Sequence, residues 1–217
     1  LARTKRMANA LLALGVKPGD RVATLAWSTH RHFELYFAVT GIGAILHTIN
    51  PRLHDDQIAW VANHAEDSFL FFDNTFAGQV AELAERVPLV KTYVALTDRA
   101  HLPAEAPPQA RVYEDLIDTH SSEFTWPELD ERQASGLCYT SGTTGNPKGV
   151  LYSHRSTVLH AMALALPDAF DFSARDVVMP CVPMYHANAW CTPYAAPLVG
   201  ATLVLPGRAL DGASVCE

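Results

Sequence analysis

Cysteine is scarce in this chain, and long apolar runs are absent. The 217 residues include four cysteines, at positions 138, 181, 191 and 216, with no Cys-x-x-Cys pair. This scatter excludes the dense disulfide framework of a small secreted domain and gives no zinc-ligand spacing, so we assign no metal site. No run of about 18 apolar residues occurs, which predicts no membrane span. With no signal-peptide pattern either, we expect a cytoplasmic location.

Positive charge is also in short supply. The chain has 16 lysines and arginines against 23 acidic residues, a formal net charge of −7. A general nucleic-acid binder needs a basic surface, so this class is excluded. Hydrophobic residues make up 49% of the chain, which is enough for the core of one large domain or two small ones.

Both ends of the sequence look cut. The first residue is not methionine and lies inside a helical pattern, and residues 210–215 resemble a helix that has only begun. We therefore expect this chain to be an excerpt of a longer protein, without that protein's C-terminal domain.

Strand and helix patterns alternate over residues 1–97. Apolar runs predict strands at 21–27, 44–49, 68–73 and 91–97, and helical spacing predicts helices at 1–14, 30–40, 55–64 and 76–87. This alternation is typical of an α/β fold with a parallel-rich sheet and flanking helices. Residues 98–131 are rich in proline and linker-like, apart from a short helix over 113–120. Residues 132–217 predict a hairpin, helices at 154–166 and 189–199, and strands at 176–182 and 202–205.

A glycine-rich loop dominates the last of these stretches. Residues 140–149 read Thr-Ser-Gly-Thr-Thr-Gly-Asn-Pro-Lys-Gly, with apolar residues on both sides. Glycines allow the backbone to approach a ligand closely, and successive N–H groups can form a concave anion site. Lys148 adds a mobile positive charge. The pattern predicts two strands that hold a phosphate-sized anion between them. Its spacing is not that of the nucleotide-triphosphatase P-loop, and a hairpin loop without a ligand is the alternative.

This run resembles the AMP-binding signature of the adenylate-forming superfamily, which includes the acyl-CoA synthetases. The resemblance implies the N-terminal domain of the acyl-CoA synthetase fold. It also implies that the loop holds the β- and γ-phosphates of ATP while a carboxylate attacks the α-phosphate, with Lys148 as a catalytic residue. The implied nucleotide-binding residues are Thr140, Ser141, Gly142, Thr143, Thr144, Gly145, Lys148 and Gly149.

A second run, residues 183–190, reads Pro-Met-Tyr-His-Ala-Asn-Ala-Trp. Judged by residue type alone, His186 and Trp190 suit a structural role better than a functional one. The run resembles the aromatic–His motif of the acyl-CoA synthetases, and its His-x-x-x-Trp form is similar to the medium- and long-chain fatty acyl branch. Residues 47–53 and 63–67 resemble the same branch. The resemblance implies that His186 is catalytic beside the reacting carboxylate and that Trp190 gates the acyl pocket. Tyr185 and Asn188 complete the implied substrate-binding set, and Tyr185 stands where that branch usually has Phe, which would make the pocket more polar.

The implied reaction joins a fatty acid to coenzyme A in two steps, with ATP and Mg²⁺ and through an acyl-adenylate. The adenine, magnesium and coenzyme A contacts are expected outside this chain, so we expect the chain alone to be inactive and its parent to be a homodimer. Two alternatives stay open. One is another adenylating ligase, acting on an aryl, amino or short sulfur-containing acid; the other is a non-catalytic phosphate-binding module.

Overall fold

A computed structural model of the chain describes residues 1–140, 146–210 and 212. Its α-helices are α1 Ala2–Ala13, α2 His30–Gly41, α3 Asp55–Ala65, α4 Ala77–Leu83, α5 Tyr113–Asp118, α6 His154–Leu164 and α7 Thr192–Val199. Its strands are β1 Arg21–Leu25, β2 Ile45–Thr48, β3 Phe69–Phe72, β4 Thr92–Ala95, β5 Arg111–Val112, β6 Ala134–Thr140, β7 Lys148–Ser153, β8 Val177–Val178 and β9 Thr202–Leu203. Short 3₁₀ segments lie at Asn74–Phe76, Ala84–Arg86 and Arg99–His101.

Seven strands form one sheet in the order β5-β4-β3-β1-β2-β6-β7. All neighbours from β5 to β6 are parallel, and β7 returns antiparallel to β6. The predicted α/β fold and the predicted hairpin are both confirmed. Strands β8 and β9 pair in parallel as a separate two-stranded sheet.

Two apolar layers cover the two faces of the large sheet, because successive side chains of a strand point to opposite faces. Val22 packs into the core formed with α1, α2 and α5. Its neighbours Ala23 and Leu25 pack into the core formed with α3 and α4. Burial on both faces explains why the parallel strands are apolar along their length, as in the buried Phe-Leu-Phe-Phe of β3.

Polar side chains cap the starts of α2 and α6. The Thr29 side chain accepts a hydrogen bond from the His32 backbone N–H at the start of α2. Ser153 caps α6 in the same way by accepting from the Ser156 N–H. Side-chain oxygens at these positions satisfy N–H groups that have no partner inside the helix.

Residues 98–131, linker-like in sequence, are packed against the rest of the fold. They contribute α5, which confirms the short helix predicted over 113–120, and the edge strand β5, which was not predicted. Glu114 of α5 binds Arg3 of α1 at 2.8 Å and Arg31 of α2 at 2.6 Å. Burial disfavours ionisation of Glu114, but these two hydrogen bonds outweigh it and lower the pKa of the carboxyl. Trp126 covers Gly41 so closely that a Cβ there would lie 2.5 Å from the indole. The division of the chain into three stretches stays a prediction.

Two sequence predictions near the C-terminal end were wrong at their boundaries. The strand expected over 176–182 is reduced to β8, Val177–Val178. The helix expected from Ala189 begins at Thr192, because Ala189, Trp190 and Cys191 have positive φ angles of 48°, 52° and 68°. Right-handed helix geometry needs negative φ, so α7 cannot extend back through them.

Candidate active site

The carboxyl ends of β1, β2 and β6 meet at one edge of the sheet. Ser28 follows β1, Arg52 follows β2, and the glycine-rich loop follows β6. Parallel sheets place ligands outside the carboxyl ends of their strands, where the chain reverses direction across the sheet. Such a reversal occurs here, because β2 lies on one side of β1 and β3 lies on the other.

The glycine-rich loop is carried by the β6–β7 hairpin. Thr140 lies opposite Lys148 and Tyr139 lies opposite Gly149 in the antiparallel register. The side chains of Thr140 and Lys148 are exposed. A Cβ on Gly149 would approach the Tyr139 ring to 3.1 Å, so this glycine allows the two strands to pack closely.

Five of the predicted phosphate-binding residues lie outside the described part of the chain. They are Ser141, Gly142, Thr143, Thr144 and Gly145. The hairpin ends that flank them are described, and their register places Thr140 opposite Lys148.

A buried polar pair, His47 and Asp67, lies next to Tyr139 of the hairpin. His47 Nδ1 lies 2.8 Å from Asp67 Oδ2, and both side chains have no exposed surface. Burial raises the pKa of Asp67, against the opposing effect of His47. Tyr139 packs on the His47 ring and binds His64 at 2.6 Å through its hydroxyl. The two sequence runs that resembled the fatty acyl branch, 47–53 and 63–67, therefore meet under the strand that leads into the loop.

The second predicted run lies beside the same strands. Tyr185 is buried against Trp27, which follows β1. Burial raises the pKa of Tyr185, and nearby Arg52 opposes that shift. His186 is exposed, so its imidazole is open to a ligand.

Asn188 joins this run to β6. Its carboxamide Oδ1 accepts a hydrogen bond from Cys138 Sγ at 3.4 Å and lies 3.3 Å from the Tyr36 hydroxyl. The loop predicted to bind the acid thus contacts the strand that leads into the loop predicted to bind ATP.

Residues 187–191 form a left-handed turn, with φ angles of 45°, 51°, 48°, 52° and 68°. None of the five is glycine, and the left-handed region is unfavourable for residues with a Cβ. The turn leaves Trp190 54% exposed.

Two cavities border Trp190. One of about 290 Å³ is mainly apolar, and its lining includes Phe170, Phe172, Val178, Pro180, Val182 and Trp190. The other, of about 330 Å³, has more polar lining, which includes Tyr152, Ser156, His160, Asn188, Trp190 and Tyr194. An apolar cavity beside a polar one can accept an apolar tail with a polar head.

Sequence reasoning missed three residues of this region: Ser28, Tyr36 and Arg52. Ser28 and Tyr36 bind backbone atoms of Met184, which is more than a hundred residues away. Ser28 and Arg52 have only their position as a signal, since they follow the carboxyl ends of β1 and β2, where α/β proteins place ligands. Tyr36 lies in the middle of α2 and has no such signal.

The described residues contain no group of three or more His, Cys, Asp or Glu side chains placed to hold a metal ion. Nor does any helix among them have the length and apolarity that crossing a bilayer requires.

Comparison with known proteins gives relatives that extend well beyond this chain. The medium-chain-fatty-acid–CoA ligase of Ectopseudomonas oleovorans is 54% identical over 215 residues, covering 99% of this chain and 39% of the ligase. The 3-methylmercaptopropionyl-CoA ligase of Ruegeria lacuscaerulensis is 50% identical over 97% of this chain and 39% of its own length. The chain therefore spans about two fifths of the relatives it matches.

Solved structures share the fold. The anthranilate CoA ligase AuaEII, in complex with anthranoyl-AMP, superposes with a TM-score of 0.83 at 20% identity, over 96% of this chain and 39% of that one. The sequence profile of the AMP-binding enzyme family matches residues 1–217 in full. The chain belongs to the AMP-binding enzyme family.

Proposed function

We propose that the full-length protein is a fatty acid–CoA ligase that forms AMP. A fatty carboxylate attacks the α-phosphate of ATP, giving acyl-adenylate and pyrophosphate, and the thiol of coenzyme A then displaces AMP. The main observation behind this proposal is the contact between Asn188 and Cys138 of β6. Because Asn188 also lines a cavity beside Trp190, this contact joins the hairpin proposed to bind ATP to the cavity proposed to bind the acid. The 54% identity to a medium-chain-fatty-acid–CoA ligase supports the choice of acid.

Each residue has a role that follows from its chemistry. Lys148 stabilises the negative charge of the β- and γ-phosphates, together with the hydroxyl and N–H groups of the loop. His186, which has an exposed side chain, hydrogen-bonds the acid's carboxylate. Trp190, which lines both cavities, limits the acyl tail, and Asn188 lines the more polar cavity. Tyr185 contributes its hydroxyl beside this run.

Magnesium in nucleotide enzymes is held largely by phosphates and by one or two carboxylates. Its protein ligands stay a prediction for the remainder of the protein, and we assign the ion no step here. The homodimeric state and the cytoplasmic location likewise stay predictions.

The direct test is ATP–pyrophosphate exchange by the full-length protein with a panel of carboxylic acids. Exchange stimulated by medium-chain or long-chain fatty acids, followed by thioester formation with coenzyme A, is the expected result. ATP binding without exchange for any acid would contradict the proposal and favour the non-catalytic module.

A second candidate is a ligase for a short sulfur-containing acid. The hydroxyl of Tyr185 and the 50% identity to a 3-methylmercaptopropionyl-CoA ligase favour it. The same panel separates the two, because such a ligase would give its highest kcat/KM with a short thioether acid and a lower one with each added methylene.

Trp190→Ala is expected to change the acid preference of the full-length protein far more than its use of ATP. Trp190 lines both cavities, so removing the indole enlarges the space that is open to the acyl tail. Because each methylene in an apolar pocket changes discrimination by about tenfold or more, we expect a shift of that size in the chain-length profile and less than about twofold in the KM for ATP. Exchange kinetics across the acid panel measure both.

Leu12→Ala is the matched control for this variant, because Leu12 is 46% exposed on α1, far along the chain from the cavities. It should leave the profile unchanged. A Trp190→Ala profile that superposes on that of the wild type would remove Trp190 from the acyl pocket.

A further inference from the structure

The left-handed turn at residues 187–191 needs an explanation. Five consecutive residues with positive φ, all bearing a Cβ, are an energetically costly arrangement. Strained backbone of this kind persists only where surrounding contacts determine it, and it concentrates at ligand sites. The contacts that hold the turn therefore determine the positions of the Trp190 and Asn188 side chains.

One end of the turn is held through Met184, whose side chain has no exposed surface. The Met184 backbone N–H donates to Ser28 Oγ at 3.1 Å. Its carbonyl oxygen accepts a hydrogen bond from the hydroxyl of Tyr36. Both backbone polar atoms of Met184 are thus fixed by the segment that follows β1.

Tyr36 also reaches into the turn itself. Its hydroxyl oxygen lies 3.3 Å from the carboxamide of Asn188. The single hydrogen of the phenol points between two acceptors, the Met184 carbonyl oxygen and the more distant Asn188 Oδ1. Tyr36 is fully buried in α2 and lines neither cavity at Trp190.

The other end of the turn is held separately. Thr192 Oγ1 donates to the Ala189 carbonyl oxygen at 2.7 Å, and Cys191 Sγ contacts the Thr157 carbonyl oxygen at 3.5 Å. Both ends of the turn are therefore fixed, and the contacts of Ser28 and Tyr36 with Met184 come from residues that line neither cavity at Trp190.

We propose that Tyr36 is a positioning residue for the acyl pocket. Its hydroxyl fixes the Met184–Asn188 end of the left-handed turn and thereby the position of Trp190, without contact with the acid. The inference rests on the proposed function for its kinetic consequences, but its structural part does not depend on any activity.

The test is Tyr36→Phe in the full-length protein, which removes one oxygen and keeps the ring. Because one hydrogen bond contributes a few-fold to tenfold in an equilibrium, we expect the KM for the preferred acid to rise about 3- to 10-fold, with a broader chain-length profile and the KM for ATP changed less than about twofold. Tyr93→Phe is the matched control: Tyr93 is buried in the other core, among residues of α3 and α4, and should leave all three quantities unchanged.

A double variant tests the route of action. If Tyr36 acts through Trp190, then Tyr36→Phe no longer alters the chain-length profile when Trp190→Ala is already present. If the effects of Tyr36→Phe and Trp190→Ala on the chain-length profile multiply in the double variant, the two residues act independently and the proposal is overturned. So would equal rises in KM for acid and ATP, which a general loss of structure would produce.

A fluorescence measurement keeps the inference separable from the proposed function. The difference in emission between the protein and its Trp190→Phe variant isolates the Trp190 signal. Tyr36→Phe should change the quenching of that signal by acrylamide, and an unchanged quenching constant overturns the inference whether or not the protein catalyses exchange. Absence of acid-dependent exchange in the wild type, with quenching altered as expected, would reject the ligase function alone.

Discussion

Lys148→Ala lowers kcat/KM for ATP by about a thousandfold in the full-length protein, whereas Thr143→Ala lowers it by about tenfold or less. A unit charge 4 Å from a phosphate oxygen contributes about 4 kcal/mol at an effective dielectric of about 20, which corresponds to that thousandfold. A neutral hydroxyl donor contributes about 0.5–1.5 kcal/mol. Lys148 opens β7 with an exposed side chain, opposite Thr140, so its ammonium group is free to reach a phosphate.

Initial rates of ATP–pyrophosphate exchange over a range of ATP concentrations measure both effects. Lys17→Ala removes an exposed lysine at the turn before β1 and should change kcat/KM by less than about twofold, which controls for net charge. Lys148→Arg retains the charge and should keep more activity than Lys148→Ala. Equal losses for Lys148→Ala and Thr143→Ala would show that the charge of Lys148 does not act on the phosphates.

The sequence was sufficient for the large sheet and its helices, because buried parallel strands are apolar throughout and helices repeat every 3.6 residues. It was insufficient for β5, since Arg111–Val112 is too short to carry a pattern. The start of α7 was also placed wrongly. Nothing in Ala-Asn-Ala-Trp-Cys indicates left-handed backbone, because glycine is the usual signal and none is present.

The candidate site likewise has a part that the sequence predicts and a part that it does not. The ordered run of glycines, hydroxyls and Lys148 is enough by itself to predict the hairpin, and the fold places Thr140 opposite Lys148. The residues that support the site carry no comparable signal in the sequence. Tyr36 and Met184 are 148 positions apart, and only the packing of α2 against the returning chain brings them into contact.

Asp67→Ala should destabilise the protein more than any surface change, by about 1–3 kcal/mol, because it leaves a buried nitrogen of His47 without its hydrogen-bond partner. Both side chains have no exposed surface, and His47 Nε2 already has no hydrogen-bond partner among the described residues. After the substitution neither ring nitrogen is satisfied. Denaturant unfolding of the full-length protein measures the loss of unfolding free energy. The transition to fit is the one in which this domain unfolds.

Asp67→Asn separates charge from hydrogen bonding, because its amide oxygen still accepts from His47 Nδ1 and its loss should be smaller. Replacing both partners by leucine should also cost less than Asp67→Ala, since no unpaired polar group is left behind. A loss below about 1 kcal/mol for Asp67→Ala would mean that His47 finds another partner or water.

The same pair predicts the sign of a pH effect. Burial raises the pKa of Asp67 above its ordinary value near 3.8, although His47 and Arg21 oppose the shift. The native state therefore holds its proton more tightly than the unfolded state, and the stabilisation is complete below the ordinary carboxyl pKa. Stability from this group falls as pH rises through the raised value, since the unfolded chain then binds fewer protons.

Asp67→Asn removes the titration. The difference in unfolding free energy between the wild type and this variant should therefore decrease with rising pH across that window. A difference that increases with pH would show instead that His47 holds Asp67 ionised in the folded protein.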